Sequence, residues 1–231
     1  MTNLLEITEL TVTRGSLVAC DRVTLCVPAG EITVVLGANG AGKSALLDGI
    51  AGVLPAVGSL TLAGERVDRL PVHARAKRGL AYVQQGHAVF SQLTVAENLA
   101  VVNASAHTRE QAFALFPQLA HRQHTAAGLL SGGEQQMLVL ARALATSPRM
   151  LLIDELSQGL APVVVETLMR ALSQLASTGT GVLLVEQFAE LALQVGTTAH
   201  VMSGGRIVHS AACASLLDDR GSSMLPFMLG E

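Results

Sequence analysis

Residues 4–14 and 21–27 partly alternate apolar with polar side chains, the spacing of half-buried antiparallel strands. Residues 32–36 are different: Ile-Thr-Val-Val-Leu stays hydrophobic and β-branched and stops at Gly37, which suits a parallel strand buried on both faces. Residues 150–153 and 181–185 form two more continuous apolar strands, separated by a helix-like segment over 163–175. A helix is expected over 43–51, and short strands over 58–62 and 80–83 with a basic connector between them. From about 90 to 127 the pattern turns helical, best over 94–101 and 109–119. Repetition of strand, helix and strand predicts a parallel sheet with right-handed crossovers, and the two alternating segments predict a small edge sheet beside it. After Ser210 no strong periodicity is visible, and 224–229 is expected to dock as a helix.

Chemistry enters where the first buried strand ends. Gly37-Ala38-Asn39-Gly40-Ala41-Gly42-Lys43-Ser44 fits GxxxxGK[ST] and lies between that strand and a predicted helix, the context such a loop requires. Glycines let the backbone curl until successive N–H groups face phosphate oxygens, and the helix N-terminus adds partial positive charge. Lys43 is placed to bridge the β- and γ-phosphates, and the Ser44 hydroxyl is a ligand for Mg²⁺, a hard cation that takes oxygen donors. Residues 150–155, Met-Leu-Leu-Ile-Asp-Glu, end a second apolar strand in two acids that are costly to bury without a cationic partner. Asp154 is the candidate to hold Mg²⁺, through water, and Glu155 the candidate base for the attacking water. These two elements alone allow a kinase, a GTPase or a motor.

Leu130-Ser131-Gly132-Gly133-Glu134-Gln135-Gln136 narrows the choice. Ser131 can cap a helix and Glu134 can close a capping box, leaving a glycine-exposed N-terminus open to an anion. With this string between the phosphate loop and the acidic strand, the chain resembles the ATP-binding cassette (ABC) family over essentially its whole length. The resemblance implies an α/β P-loop NTPase (RecA-like) core with an N-terminal antiparallel β-subdomain and an inserted α-helical subdomain. It implies one domain over 1–231, with core about 1–86 and 148–210, helical insertion about 87–147 and a tail over 211–231. It also implies ATP sandwiched between Gly37–Ser44 of one copy and Ser131, Gly132, Gly133 and Glu134 of another. Gln85 resembles the glutamine that senses Mg²⁺ and the γ-phosphate and couples to the membrane subunit, and residues 157–162 resemble the loop that contacts the opposite subunit. Gln187 stands where most of the family has a switch histidine. Arg14 stands where an aromatic usually stacks on adenine, and Leu156 replaces a proline.

Leu130 to Leu138, with Gly159-Leu160-Ala161-Pro162 and Val185-Glu186-Gln187, closely resembles ATPase subunits of branched-chain amino acid importers and their urea or amide relatives. Implied partners are a second cassette, identical or related, two permease chains and, indirectly, a solute-binding protein, with the chain peripheral on the cytoplasmic face of the membrane. The rival classes are a soluble cassette protein acting on ribosomes or DNA, and a nucleotide-binding regulator without turnover.

Composition trims the alternatives. Half the residues are hydrophobic and 14% are charged, which excludes a disordered chain. A net charge of −3 offers no global field for nucleic acid or anionic lipid. No window reaches the ~18 apolar residues of a membrane span, and the first ten residues, with Glu6 and Glu9, lack the pattern of a secretory signal. Cys20, Cys26 and Cys213 show no CxxC spacing and are expected as buried reduced thiols. His121 and His124 are expected on a solvated face, and Arg75, Lys77 and Arg78 in a solvated loop.

Overall fold

The computed structural model describes residues 3–86, 88–102, 105–187 and 189–218. Two long strands, β1 (Asn3–Arg14) and β2 (Leu17–Pro28), pair antiparallel, and β4 (Ala56–Leu62) and the short β5 (Glu65–Arg66) extend them into a four-stranded sheet ordered β2-β1-β4-β5. The second sheet contains β3 (Ile32–Leu36), β6 (Leu80–Val83), β7 (Met150–Asp154), β8 (Gly181–Glu186), β9 (Thr198–Ser203) and β10 (Arg206–Ala212). Its order is β10-β9-β3-β8-β7-β6, parallel throughout except for the β10 edge.

The three continuous apolar runs are continuous because each strand faces a core on both sides. Val34, Leu151, Ile153, Val182 and Leu184 belong to one apolar cluster, while the residues alternating with them, Val35, Leu152, Leu183 and Val185, belong to the other. The second cluster is closed by α1 (Lys43–Ala51) and by the inward positions of β1, among them Leu5, Ile7, Leu10 and Val12. The first is closed by α6 (Gly132–Leu144), α7 (Pro162–Ser177), α8 (Ala189–Val195) and α9 (Cys213–Asp218). Between β6 and β7 the chain leaves the sheet for α3 (Val95–Ala100), α4 (Ala106–Leu115), α5 (Pro117–His121) and α6, then returns to set Met150 beside Leu80.

Several expectations need correction. The single helix expected over 109–119 is two helices, α4 and α5, because Pro117 opens the second and Phe116 between them is non-helical, at φ −129° and ψ 76°. The basic connector holds a helix, α2 (Val72–Lys77), and Arg75 is not solvated. It is 4% exposed, and its guanidinium donates to the carbonyls of Gly49 (2.9 Å), Ile50 (2.6 Å), Asp68 (2.8 Å) and Leu70 (2.8 Å). Two of those carbonyls end α1, so Arg75 satisfies acceptors that the helix terminus leaves open. Cys20 and Cys213 are buried, but Cys26 is exposed, on a β2 position whose neighbours Leu25 and Val27 take the inward face. The segment after Ser210, read as aperiodic, contains the end of β10 and the helix α9; the helix expected over 224–229 lies outside the described residues. His121 and His124 are both exposed.

Candidate nucleotide site

The loop 37–42 carries the chain from β3 into α1. Gly42, at the N-cap of α1, has φ 104°, and a Cβ there would stand 2.5 Å from the Ala19 carbonyl oxygen, so only glycine lets the loop pass β2 this closely. α1 therefore begins with no side-chain cap, and its first backbone N–H groups are left for a ligand. Lys43 is 4% exposed and folds back over the loop, its Nζ donating to Gly37 O (2.8 Å) and Ala38 O (3.1 Å).

Three elements meet here. β7 brings Asp154 and Glu155; Glu155 Oε1 lies 3.6 Å from Lys43 Nζ, and both groups are buried. The segment after β6 brings Gln85, whose Nε2 donates to Glu155 Oε2 (2.8 Å) and to Gln158 Oε1 (2.7 Å). β8 ends in Glu186, and Gln187 is the next residue. A cavity of about 670 Å³ opens over this convergence, lined by Arg14, Asn39, Gly40, Gly42, Lys43, Ser44, Gln85, Glu155 and Gln158, with Leu17 and Val18 at its lip. Gly37, Ala38, Ala41, Asp154 and Gln187 lie outside its lining.

Asp154 ends β7 beside the Ser44 hydroxyl, and its Oδ1 is buried with no hydrogen-bond partner. Burial pushes its carboxyl up from the usual aspartate range, the charges of Glu155 and Asp48 add to that, and the Ser44 hydroxyl and Lys43 pull the other way. An orphaned carboxylate oxygen beside a hydroxyl is a donor set that fits Mg²⁺. Arg14 is 64% exposed in its side chain and pairs with Asp48 (3.5 Å), which also accepts from the Tyr82 hydroxyl (3.2 Å).

The expected second half of the site is elsewhere. Ser131, Gly132, Gly133 and Glu134 line no part of the cavity; they open α6, with Ser131 and Gly132 exposed. The capping box is present: Glu134 N donates to Ser131 Oγ (3.3 Å), and Glu134 Oε2 accepts from Ser131 N and Oγ (both 2.9 Å). Arg122 Nε lies 3.1 Å from Glu134 Oε1.

Two residues beside this site lie in segments singled out in the sequence but were given no role of their own there. Gln158 bridges to Gln85 and carries no signal of its own. Glu186 does carry one, a charge ending a buried apolar strand, the same signal that marks Asp154 and Glu155. It is 1% exposed, and its carboxylate accepts from Ser157 N (3.0 Å) and Ser157 Oγ (2.7 Å). Burial pushes Glu186 up to about 7 against the pull of those hydrogen bonds.

Comparison with known proteins shows the family and the fold. A family model described as "ABC transporter" matches residues 20–158. The chain is 41% identical over 210 residues to the "High-affinity branched-chain amino acid transport ATP-binding protein BraG" of Pseudomonas aeruginosa, covering 88% of this chain and 90% of that protein. It is 33% identical to the "Lipopolysaccharide export system ATP-binding protein LptB" of Escherichia coli K12, covering 86% of each. Among solved structures, a nucleotide-free ATP-binding cassette from an ABC transporter superposes with a TM-score of 0.88 at 23% identity, covering both chains fully.

Proposed function

The chain belongs to the ABC transporter family and is an ATPase of that type, and from this premise we propose that it hydrolyses Mg-ATP between two cassettes to power uptake of branched-chain amino acids or a related small solute such as urea or an amide. In this reading Gly37–Ser44 cradles the phosphates through backbone N–H groups, and Lys43 leaves the Gly37 and Ala38 carbonyls to reach the β- and γ-phosphate oxygens. Ser44, Asp154 and Gln85 would hold Mg²⁺, which when bound supplies charge neutralisation to the phosphate oxygens. Glu155 orients and deprotonates the attacking water; Gln85, already within hydrogen-bond reach, holds its carboxylate in place. Gln187, one residue beyond β8, donates its amide to the γ-phosphate. Arg14 stands at the rim beside the base.

The observation that carries the reading is the division of the motifs. The phosphate loop, Glu155 and Gln85 converge on one cavity, whereas Ser131 and Gly132 are exposed away from it. A site built this way is completed by the Ser131–Glu134 segment of a second cassette, identical or related. In this reading permease chains supply the translocation path; no helix among the described residues is long and apolar enough to cross a membrane. The chain then sits on the cytoplasmic face of the membrane, coupled indirectly to a solute-binding protein, with no nucleic acid partner.

The higher identity to BraG, named for branched-chain amino acid transport, than to LptB, named for lipopolysaccharide export, supports the amino acid reading over lipopolysaccharide export. The test is solute-stimulated ATPase activity of the chain reconstituted with its permease. A binding protein loaded with leucine, urea or an amide should raise turnover, and lipopolysaccharide should not. The reverse response contradicts import.

A further inference from the structure

The loop that follows β7 is held from two sides. On the cavity side, Gln85 donates to Glu155 and to Gln158. On the other, the end of β8 grips the same loop twice: Glu155 N donates to Val185 O (2.9 Å), and the Glu186 carboxylate accepts both the backbone N–H and the hydroxyl of Ser157. Between these grips Glu155 adopts φ 46°, a left-handed conformation that a non-glycine residue holds only when its surroundings impose it. Leu156, 1% exposed, is packed into the core between the two grips. The arrangement carries a cost, because a carboxylate buried in the core and close enough to Glu155 to feel its charge is unfavourable unless something is gained.

We propose that Glu186 is a positioning residue for ATP hydrolysis: by clamping Ser157 from the end of β8 it holds Glu155, two residues earlier, in the left-handed backbone conformation that aims its carboxylate into the nucleotide cavity. The clamp also links two parts of the machinery mechanically. Gln187 is the next residue after Glu186, and residues 157–162 follow directly from Ser157, so a shift of the β8 terminus on contact with the γ-phosphate is transmitted to the base and to the loop beyond it. No charge is required for this role. A glutamine at 186 accepts the Ser157 N–H with its carbonyl oxygen and donates its amide to the Ser157 hydroxyl, which rotates to accept. An alanine keeps neither bond.

This proposal rests on Glu155 being the base, and the experiment separates the two claims. Steady-state ATPase kinetics are measured on the full chain for Glu186→Ala, Glu186→Gln, Ser157→Ala and Glu155→Gln, with ATP affinity and thermal midpoint measured on each. Glu186→Ala should lower kcat by about tenfold or more and move KM less than about threefold, because geometry at the reacting water is lost while phosphate binding is kept. Ser157→Ala, which removes only the hydroxyl bond, should fall between Glu186→Ala and wild type, and Glu186→Gln should recover most of the lost kcat. Wild-type kcat in Glu186→Ala overturns the proposal, as does a glutamine variant as slow as the alanine one. If Glu186→Ala is too unstable to assay, Ser157→Ala decides: unchanged kcat overturns the clamp. Glu155→Gln turning over at the wild-type rate overturns the base assignment and this proposal together, whereas an inert Glu155→Gln beside a fully active Glu186→Ala overturns this proposal alone.

Discussion

Arg75 shows how far a single residue can depart from its sequence context. It lies in a run of basic residues that reads as solvated, yet it spans the end of α1, and its guanidinium donates to four backbone carbonyls. A planar fork of donors suits that task where an ammonium does not. Arg75→Ala should lose about 2 to 4 kcal/mol, because buried acceptors are left without partners; Arg75→Lys should recover less than half of that. Urea denaturation of the three proteins measures both. Glu186 gives a second prediction, in pH. Its carboxyl is raised by burial from an ordinary 4.5 to about 7, so the folded chain binds this proton more tightly than the unfolded one. The stabilising contribution is then full below about pH 4.5 and is lost as pH rises through 7. The stability of wild type relative to Glu186→Gln should therefore fall by about 2 to 3 kcal/mol between pH 5 and pH 8. A difference that stays flat across that range contradicts the shift. Neither residue was legible in sequence as what it is, because both depend on carbonyls or hydroxyls brought close by the fold.

At the scale of elements, legibility followed burial. β3, β7 and β8 are plain in the sequence because each is enclosed on both faces and keeps an unbroken apolar run. β9 is enclosed as well, but His200 interrupts it, satisfied locally by the Ser210 hydroxyl at 2.7 Å. β10 is an edge strand with no fully buried position and leaves almost no pattern. α6 was legible from its capping box, a local signal, while the break between α4 and α5 depends on one proline. α3 does more than its six residues suggest. Its fully buried Asn98 accepts from Phe90 N (2.9 Å) and donates to the carbonyls of Phe90 (3.0 Å), Leu93 (3.2 Å) and Thr94 (3.0 Å), fastening the segment that leads away from Gln85. Asn98→Ala should cost about 2 to 4 kcal/mol and speed amide exchange over residues 88–94, with exchange in β3 and β7 little changed. Uniform loss of protection across the molecule would mean that α3 belongs to the global folding unit and not to a local fastening.

In the whole molecule, the phosphate loop and the acidic end of β7 sit on one side of the parallel sheet's carboxyl edge, and the Ser131–Glu134 turn opens α6 away from them. The order of the motifs along the chain was readable from the residues themselves; their separation in space was expected only through the family resemblance, because it depends on how the helical segment between β6 and β7 is folded back. That separation makes the central claim one about two copies: a single chain holds the phosphates, and another closes the site. Analytical ultracentrifugation of Glu155→Gln tests it most directly, since the amide keeps a hydrogen bond to water while removing the basicity that drives turnover. With Mg-ATP the variant should sediment as a dimer, and with ADP, or with ATP when Ser131→Arg is added, as a monomer. If the related cassette is required, the dimer should form on adding that chain. A Glu155→Gln protein that hydrolyses ATP at the wild-type rate, or a dimer indifferent to both nucleotide and Ser131→Arg, would contradict the account.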